Sequence, residues 1–174
     1  MTFDISRTAQ YIADHDLTVC PAESCTAGLI VSLLAEVEGC GSWLEGGFVA
    51  YSPEAKGQIL GVSEATIDLY GLTSEPVARE MAIGALEHGT AGVALANTGL
   101  AGPPPTAEAL LPGTQCFAWA FSGSEGYQVY SETKVFSGDR NQVREVAAVY
   151  AIDQLPVYHR RFFTSNRNCG NSST

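Results

Sequence analysis

The sequence has few cationic side chains, no long run of apolar residues and no secretory-signal pattern in its first residues. Its 174 residues hold nine lysines and arginines against nineteen aspartates and glutamates, a formal net charge of −10. Nucleic-acid backbones are held by many clustered Lys and Arg side chains, so this balance argues against a general nucleic-acid-binding protein. The absence of a run of about eighteen apolar residues argues against a membrane-spanning helix. The opening MTFDISRTAQ lacks a basic, apolar signal, and a cytoplasmic location is therefore expected.

The cysteines do not follow a disulfide or zinc pattern. They are odd in number and irregularly spaced, which a disulfide framework does not favour. Cys20 and Cys25 are too isolated from the three histidines to suggest a zinc site, so no metal is expected, and no cofactor. Reduced, mostly buried thiols are the expected state. The five are Cys20, Cys25, Cys40, Cys116 and Cys169.

Strand and helix patterns alternate along the chain. Apolar runs at LTVCPAES, GGFVAYS and AGVALANTG predict buried strands linked by helices, with Pro21 expected at the end of the first strand. The segments TQCFAWAFS and GYQVYSETKVF are separated by a short turn and predict a hairpin. Helical crossovers join parallel strands and hairpins join antiparallel ones. The expected fold is a three-layer α/β/α domain with a mixed, mostly parallel five-stranded sheet.

Residues 1–158 are expected to form a single domain. Residues 159–174 end in TSNRNCGNSST, and this polar composition is typical of a disordered terminus. Trp43 and Leu44 are apolar residues in an otherwise polar link. They are candidates for a subunit contact in a homo-oligomer.

Small polar residues gather after each of the three predicted parallel strands. Ser24–Thr26 follow the first, Tyr51 and Ser52 follow the second with Lys56 nearby, and Asn97–Gly99 end the third. Ligands bind at such strand ends because the loops are free of sheet pairing and the next helices offer unpaired N–H groups. Parallel strands would bring the three corners to one edge of the sheet, facing a common pocket.

Lys56 is positioned in sequence to act as a base. It lies four residues after Ser52, the predicted N-cap of its helix, so its side chain can turn back toward the strand ends. Burial there would lower the lysine pKa to roughly 7 or 8, where the amine can deprotonate a serine. Ser24 and Lys56 would then form a Ser-Lys dyad. The first N–H groups of a helix predicted over Thr26–Val37 would hold the oxyanion.

Each of these residues also has an ordinary structural role. A serine at a helix start is more often an N-cap than a nucleophile, and an exposed Lys56 would be a solvated charge. Thr98 before Gly99 is typical of a turn. Cys25 is either a second candidate nucleophile or a small buried side chain. From the residues alone, the reaction stays open.

Five ordered blocks resemble one known family. AESCTAGLI, GGFVAYSPEAKGQILGV, SEPVAREMAIGAL, NTGLAGP and FSGDRNQVR are similar, in order and spacing, to the carboxyl-terminal domain of the CinA family of competence/damage-inducible proteins. The resemblance covers roughly residues 8–155 and implies the same α/β/α fold. Full-length relatives carry an amino-terminal molybdopterin-binding-like domain, and the resemblance implies that this chain is the carboxyl-terminal domain alone. The implied activity is amidohydrolysis of nicotinamide mononucleotide to nicotinate mononucleotide and ammonia, without a metal.

The resemblance also implies roles for individual residues. Ser24 corresponds to the nucleophile and Lys56 to its base, while the hydroxyls of Tyr51 and Thr98 would orient or relay protons. Arg140 would bind the substrate phosphate as a bidentate donor. Together, the strand-end corners and the resemblance give the residues expected to contact the nucleotide substrate, which are Cys25, Thr26, Gly28, Ser52, Gly99, Gly102 and Arg140.

Two segments depart from the family pattern. SCTAG stands where members usually have SCTGG, which places a methyl group at Ala27 in a tight turn. The usual glycine-rich loop GIAGPGGGTPEKPVGT is replaced by GLAGPPPTAEALLPGT over Gly99–Thr114. Pro104 and Pro105 fix φ and donate no N–H, whereas glycine permits close approach to a ligand. The departure favours an alternative, a nucleotide-binding family member with altered or lost catalysis.

Overall fold

A computed structural model describes residues 5–102 and 110–170 of the chain. Residues 103–109, with Pro104 and Pro105 of the substituted loop, lie outside the described residues. The strands are β1 Val19–Glu23, β2 Phe48–Val49, β3 Val93–Gly99, β4 Thr114–Gly123 and β5 Gly126–Val135. The helices are α1 Ser6–Asp14, α2 Leu29–Ala35, α3 Pro53–Leu60, α4 Glu64–Tyr70, α5 Glu75–Glu87 and α6 Arg140–Gly170.

The five strands form one mixed sheet in the order β2-β1-β3-β4-β5. β1 pairs in parallel with both β2 and β3, and β4 pairs antiparallel with β3 and with β5. Four of the five strands therefore point the same way, as predicted. Glu23 at the end of β1 is level with Val49 and with Asn97. The three polar corners consequently meet at one edge of the sheet.

Both faces of the sheet are buried, and β4 shows how the layers differ. Phe117, Trp119 and Phe121 point to the face covered by α1, α2 and α6. Cys116, Ala118 and Ala120 alternate with them and point to the face covered by α3 and α5. Aromatic residues fill the first layer, while small side chains let α5 pack close to the sheet on the other. The arrangement is the predicted α/β/α sandwich.

α3 begins and ends as its sequence predicts. Ser52 Oγ accepts the Ala55 N–H at 3.1 Å, Pro53 occupies the first turn, and Gly61 ends the helix with φ of 66°. Serine caps, first-turn prolines and left-handed glycines are the usual helix boundaries. These boundaries place Lys56 on the buried side of α3, facing the sheet edge.

Pro21 lies in the middle of β1, not at its end as predicted. Val19 N–H donates to the Trp43 carbonyl at 2.7 Å and the Glu23 carbonyl accepts from Ala50 N–H at 2.9 Å. Alternate residues of a strand bond to the same side, so Pro21 also faces the β2 side. β2 pairs with β1 only from Ala22 onward. The missing proline N–H therefore interrupts no ladder.

Two further expectations are corrected by packing. Trp43 is only 6% exposed and belongs to the core on the α1 side of the sheet, and Leu44 packs against it. Trp43 is therefore not a surface residue available for a subunit contact, whereas Leu44 is partly exposed. The helix predicted from Thr26 begins later, at Leu29.

α6 continues well beyond the predicted domain boundary at residue 158. It runs through Pro156 to Gly170, so the disorder expected from residue 159 is wrong for the described residues. Aromatic contacts explain the extension: Tyr158 stacks on Trp119 at 4.3 Å and Phe162 on Phe121 at 5.1 Å between ring centroids. Across the part of the chain that is described, no helix is long and apolar enough to cross a membrane.

Candidate active site

Lys56 and Ser24 are in direct contact at the carboxyl edge of the sheet. Lys56 Nζ lies 2.8 Å from Ser24 Oγ, 3.0 Å from the Ala50 carbonyl and 3.1 Å from the Tyr51 carbonyl. The lysine is 1% exposed and the serine 7%. Burial penalises the ammonium form and lowers the pKa of Lys56 to about 8.

The three partners of Lys56 Nζ fix what the amine can do. Two are carbonyl oxygens, which only accept hydrogen bonds, and the third is a hydroxyl, which can also donate. A neutral amine has two N–H groups and one lone pair. When both N–H groups donate to the carbonyls of Ala50 and Tyr51, the lone pair faces the Ser24 hydroxyl, which is the arrangement a general base requires.

The turn after β1 is not helical and is held by groups from other elements. Ser24 N–H donates to the Asn97 carbonyl at 2.9 Å, and Thr26 N–H donates to Asn97 Oδ1 at 3.2 Å. Ala27 adopts a left-handed φ of 49°, and Gly28 follows with φ of 96°. The turn therefore needs external support, because left-handed backbone is unfavourable for alanine.

The start of α2 is unavailable for an oxyanion, contrary to the prediction. Glu23 is fully buried, and its carboxylate accepts the N–H groups of Gly28 at 2.8 Å, Ile30 at 3.1 Å and Val31 at 2.9 Å. The negative charge already occupies the positive end of the helix. Among the described residues no acceptor binds the Cys25 N–H, which directly follows the serine in the chain.

Cys25 is a packed neighbour with a protonated thiol. Its side chain is 5% exposed, and its Sγ lies 3.4 Å from Gln115 Nε2, which donates to it. Burial raises the pKa of the thiol, and the Gln115 contact only partly offsets this. A thiol is a weak nucleophile until it ionises, so the environment of this corner favours Ser24 over Cys25.

A cavity of about 610 Å³ opens beside the serine and the lysine. Tyr70, Leu72 and Leu110 contribute apolar side chains to the cavity lining. Six of the predicted site residues line this cavity, namely Ser24, Cys25, Tyr51, Lys56, Thr98 and Gly99.

The two hydroxyls predicted to relay protons bond elsewhere. Tyr51 OH accepts from Arg140 Nη2 at 2.8 Å, and Thr98 Oγ1 donates to the Leu72 carbonyl at 2.8 Å. Tyr51 reaches Lys56 through its carbonyl rather than its phenol. Both side chains line the cavity, but neither hydroxyl bonds to Ser24 or Lys56 in this structure.

The remaining predicted residues are near the cavity but have structural contacts. The Thr26 side chain is fully buried, and its Oγ1 is a buried polar atom without a hydrogen-bond partner among the described residues. Gly28 N–H is bound by Glu23, and Ser52 caps α3. Gly102 lies beside Arg140, whose Nη1 would be 3.9 Å from a Cβ placed on that glycine. Arg140 is exposed, with its charge beside Tyr51.

Four supporting side chains were missed as site residues, although the sequence carried a signal for each. Glu23 and Gln115 are polar residues inside apolar strands, and Asn97 was noticed only as part of a corner. Asn97 Nδ2 donates to Gln115 Oε1 at 3.0 Å, which links the turn to β4. Arg144, four residues after Arg140 on α6, donates to the carbonyls of Cys25 and Thr26 at 3.0 and 3.1 Å. Residues 5–102 and 110–170 contain no group of three or more His, Cys, Asp or Glu side chains that could hold a metal ion.

Known proteins are similar to this chain in sequence and in fold. The chain is 42% identical to the nicotinamide-nucleotide amidohydrolase PncC of Escherichia coli K12 over 149 residues, which is 86% of this chain and 88% of that protein. It is 41% identical over 152 residues to a putative competence-damage inducible protein of Symbiobacterium thermophilum, covering 84% of this chain and 36% of that protein.

The crystal structure of a competence-damaged protein (CinA) superfamily protein from Escherichia coli superposes with a TM-score of 0.80 at 36% identity, over 87% of this chain and 86% of that one. The sequence profile of the CinA C-terminal domain matches residues 4–158. By sequence and by fold, this chain belongs to the CinA C-terminal domain family.

Proposed function

We propose that the protein is an amidohydrolase that converts nicotinamide mononucleotide to nicotinate mononucleotide and ammonia, with Ser24 as nucleophile and Lys56 as base. The observation that carries the proposal is the 2.8 Å contact between Lys56 Nζ and Ser24 Oγ, in which the other two partners of Nζ are carbonyl acceptors. The substrate is suggested by the relative named as a nicotinamide-nucleotide amidohydrolase.

In the first half of the reaction, Ser24 Oγ attacks the amide carbon while its proton passes to Lys56 Nζ. The carbonyl oxygen becomes an oxyanion, and the Cys25 N–H, the next amide after the nucleophile, is the proposed donor to it. The carbon–nitrogen bond then breaks. The leaving nitrogen takes the proton from the Lys56 ammonium and departs as ammonia, leaving an ester on Ser24.

In the second half, water replaces ammonia. Lys56, neutral again, takes a proton from a water molecule that attacks the ester carbon. The bond to Ser24 breaks, Lys56 returns the proton to Ser24 Oγ, and the carboxylate product is released. Lys56 therefore serves as base and acid in both halves, which suits an amine with a pKa of about 8.

The remaining site features suit a nucleotide. The cavity volume of about 610 Å³ lies in the range of small-molecule sites, and the apolar side chains of Tyr70, Leu72 and Leu110 can cover an aromatic ring. Arg140 is exposed and bonded to Tyr51, which lines the cavity, and its guanidinium is the proposed donor to the phosphate. Free thiols at Cys20, Cys25, Cys40 and Cys116 support a reducing compartment, the cytoplasm.

Ammonia release tests the proposal. Purified protein is incubated with nicotinamide mononucleotide and ammonia is measured by a coupled assay. Ser24→Ala is expected to lower kcat by about a thousandfold or more, because the nucleophile is lost. Cys25→Ala, the neighbouring substitution, is expected to cost about tenfold at most.

Two outcomes would contradict the assignment. Full activity in Ser24→Ala with loss in Cys25→Ala would make the cysteine the nucleophile. Saturable binding of the nucleotide without ammonia release by the unmodified protein would favour the alternative, a binding protein of this family. The prolines of the substituted loop, Pro104 and Pro105, are the sequence feature that motivates this alternative.

A further inference from the structure

Arg144 contacts the turn that carries Ser24, and the mechanism above gives it no role. Its Nε donates to the Cys25 carbonyl at 3.0 Å and its Nη2 to the Thr26 carbonyl at 3.1 Å. The turn lies between β1 and α2. Among the described residues no backbone N–H donates to the Cys25 carbonyl, and the Thr26 carbonyl accepts in addition only the Leu29 N–H, at 3.3 Å. One planar guanidinium therefore fixes two consecutive peptide groups.

The peptide between Cys25 and Thr26 is held at both ends. In a trans peptide the carbonyl and the N–H point in opposite directions. The carbonyl of Cys25 points to Arg144, and the N–H of Thr26 donates to Asn97 Oδ1 at 3.2 Å. Arg144 on α6 and Asn97 on β3 thus hold one peptide group from opposite sides, and this group lies one residue beyond Ser24.

The clamp holds a backbone that would otherwise rearrange. Ala27 has a left-handed φ of 49°, which costs an alanine about 1 to 2 kcal/mol. Without the guanidinium, the Cys25 carbonyl would lose its donor and the Thr26 carbonyl would keep only the 3.3 Å bond from the Leu29 N–H. Rotation of the turn could then restore hydrogen bonds to water. Such a rotation would move Ser24 Oγ and the Cys25 N–H relative to Lys56.

We propose that Arg144 is a positioning residue, which sets the rate of the chemical step by holding the turn of Ser24 and does not contribute to substrate affinity. This inference rests on the proposed function. Arg144 acts through the carbonyls of Cys25 and Thr26, and it is not among the described residues that line the cavity.

The experiment compares Arg144→Gln with a matched control, Arg79→Gln. Arg79 is also a partly buried arginine that donates to a carbonyl, that of Val129 at 2.9 Å, but it lies on α5 away from the turn. Arg144→Gln is expected to lower kcat by about a hundredfold, since small misplacements of a reacting group have this effect. KM should stay within about threefold, and the pH midpoint should not move, because the burial of Lys56 on α3, which is the main cause of its lowered pKa, is retained. Arg79→Gln should leave kcat unchanged.

Hydrogen exchange at residues 24–28 provides a readout that does not need turnover. These amides should exchange at least about tenfold faster in Arg144→Gln than in Arg79→Gln. Arg144→Lys can reach only one of the two carbonyls, so an intermediate kcat is expected, and this variant retains a charge if the glutamine variant folds poorly.

A rise in KM at unchanged kcat, or equal exchange of the turn in Arg144→Gln and Arg79→Gln, would overturn the proposal. If the unmodified protein releases no ammonia, the proposed function fails, and the exchange comparison alone then decides the role of Arg144. Faster exchange confined to the turn supports the clamp, whereas unchanged exchange refutes it.

Discussion

At the residue scale, the site depends on two buried ionisable side chains, Glu23 and Lys56, whose hydrogen-bond partners are of opposite kinds. Glu23 is surrounded by three backbone N–H donors, which stabilise a carboxylate. Lys56 is surrounded by two carbonyls and a hydroxyl, and burial lowers its pKa to about 8. At the same sheet edge, the Glu23 carboxylate is therefore matched with N–H donors. Burial there disfavours the charged form of Lys56, and the proposed chemistry needs the neutral amine as a base.

The pKa of Lys56 predicts how the rate depends on pH. The amine acts as a base only when it is neutral, and a folded-state pKa of about 8 makes the neutral fraction rise through that pH. The value of kcat/KM should increase about tenfold per pH unit below the midpoint and level off above about pH 9. The measurement is a pH–rate profile of ammonia release. A flat profile from pH 6 to 9 would show that Lys56 is not the base, whereas a midpoint near the ordinary lysine value would show that burial does not lower its pKa.

At the element scale, the contact between α3 and α5 positions Lys56. Gly84 on α5 faces the end of α3, and a Cβ at this position would lie 2.0 Å from the Leu60 carbonyl oxygen and 2.9 Å from its Cα. These atoms belong to the backbone and cannot rotate away. The close approach of the two helices therefore requires glycine here, and it sets how deeply α3 sits against the sheet.

Gly84→Ala is expected to displace α3 and to affect both stability and rate. Overpacking costs about 1 to 3 kcal/mol in a buried contact, and the better helix propensity of alanine offsets up to about 1 kcal/mol. Because Lys56 moves with α3, kcat should fall by about tenfold or more. Urea unfolding and ammonia release measure the two effects.

Gly57→Ala on α3 is the control for that substitution. A Cβ at Gly57 would meet only the Val62 carbonyl oxygen, at an ordinary contact distance of 3.5 Å. This variant should be as stable as the unmodified protein or more stable by up to about 1 kcal/mol. Equal loss of stability in both alanine variants would show that the α3–α5 contact is not the cause.

At the scale of the whole molecule, the sequence predicts the layers better than the turns. The hairpin pattern of β4 and β5, the apolar run of β3 and the predicted cap of α3 identified the sheet and placed Ser24 and Lys56 at one edge. The start of α2 was missed because its cap is Glu23, a buried carboxylate that precedes the helix by six residues, and not a local Ser or Thr. The clamp from Arg144 depends on contacts across more than one hundred residues, which spacing cannot reveal.

The carboxyl-terminal part of α6 packs against the end of the sheet that lies opposite the site. Polar composition predicted disorder from residue 159, but Phe162 stacks on Phe121 and Tyr11 OH bonds to His159 Nδ1 at 3.0 Å. Phe121 pairs with Val93, the first residue of β3, whereas the site lies at the other end of that strand. A few aromatic residues within a polar stretch are therefore enough to hold these turns of helix against the core.

Phe162→Ala should consequently lower stability without changing the rate. Loss of a half-buried aromatic side chain and its stacked partner is expected to cost about 2 to 3 kcal/mol, measured by urea unfolding. Phe163→Ala is the matched control, because Phe163 is 51% exposed and should cost under about 1 kcal/mol. Both variants should keep kcat within about twofold, since Ser24, Lys56 and Arg144 lie at the far edge of the sheet. If Phe162→Ala were as stable as Phe163→Ala, the segment after residue 158 would not be part of the folded domain.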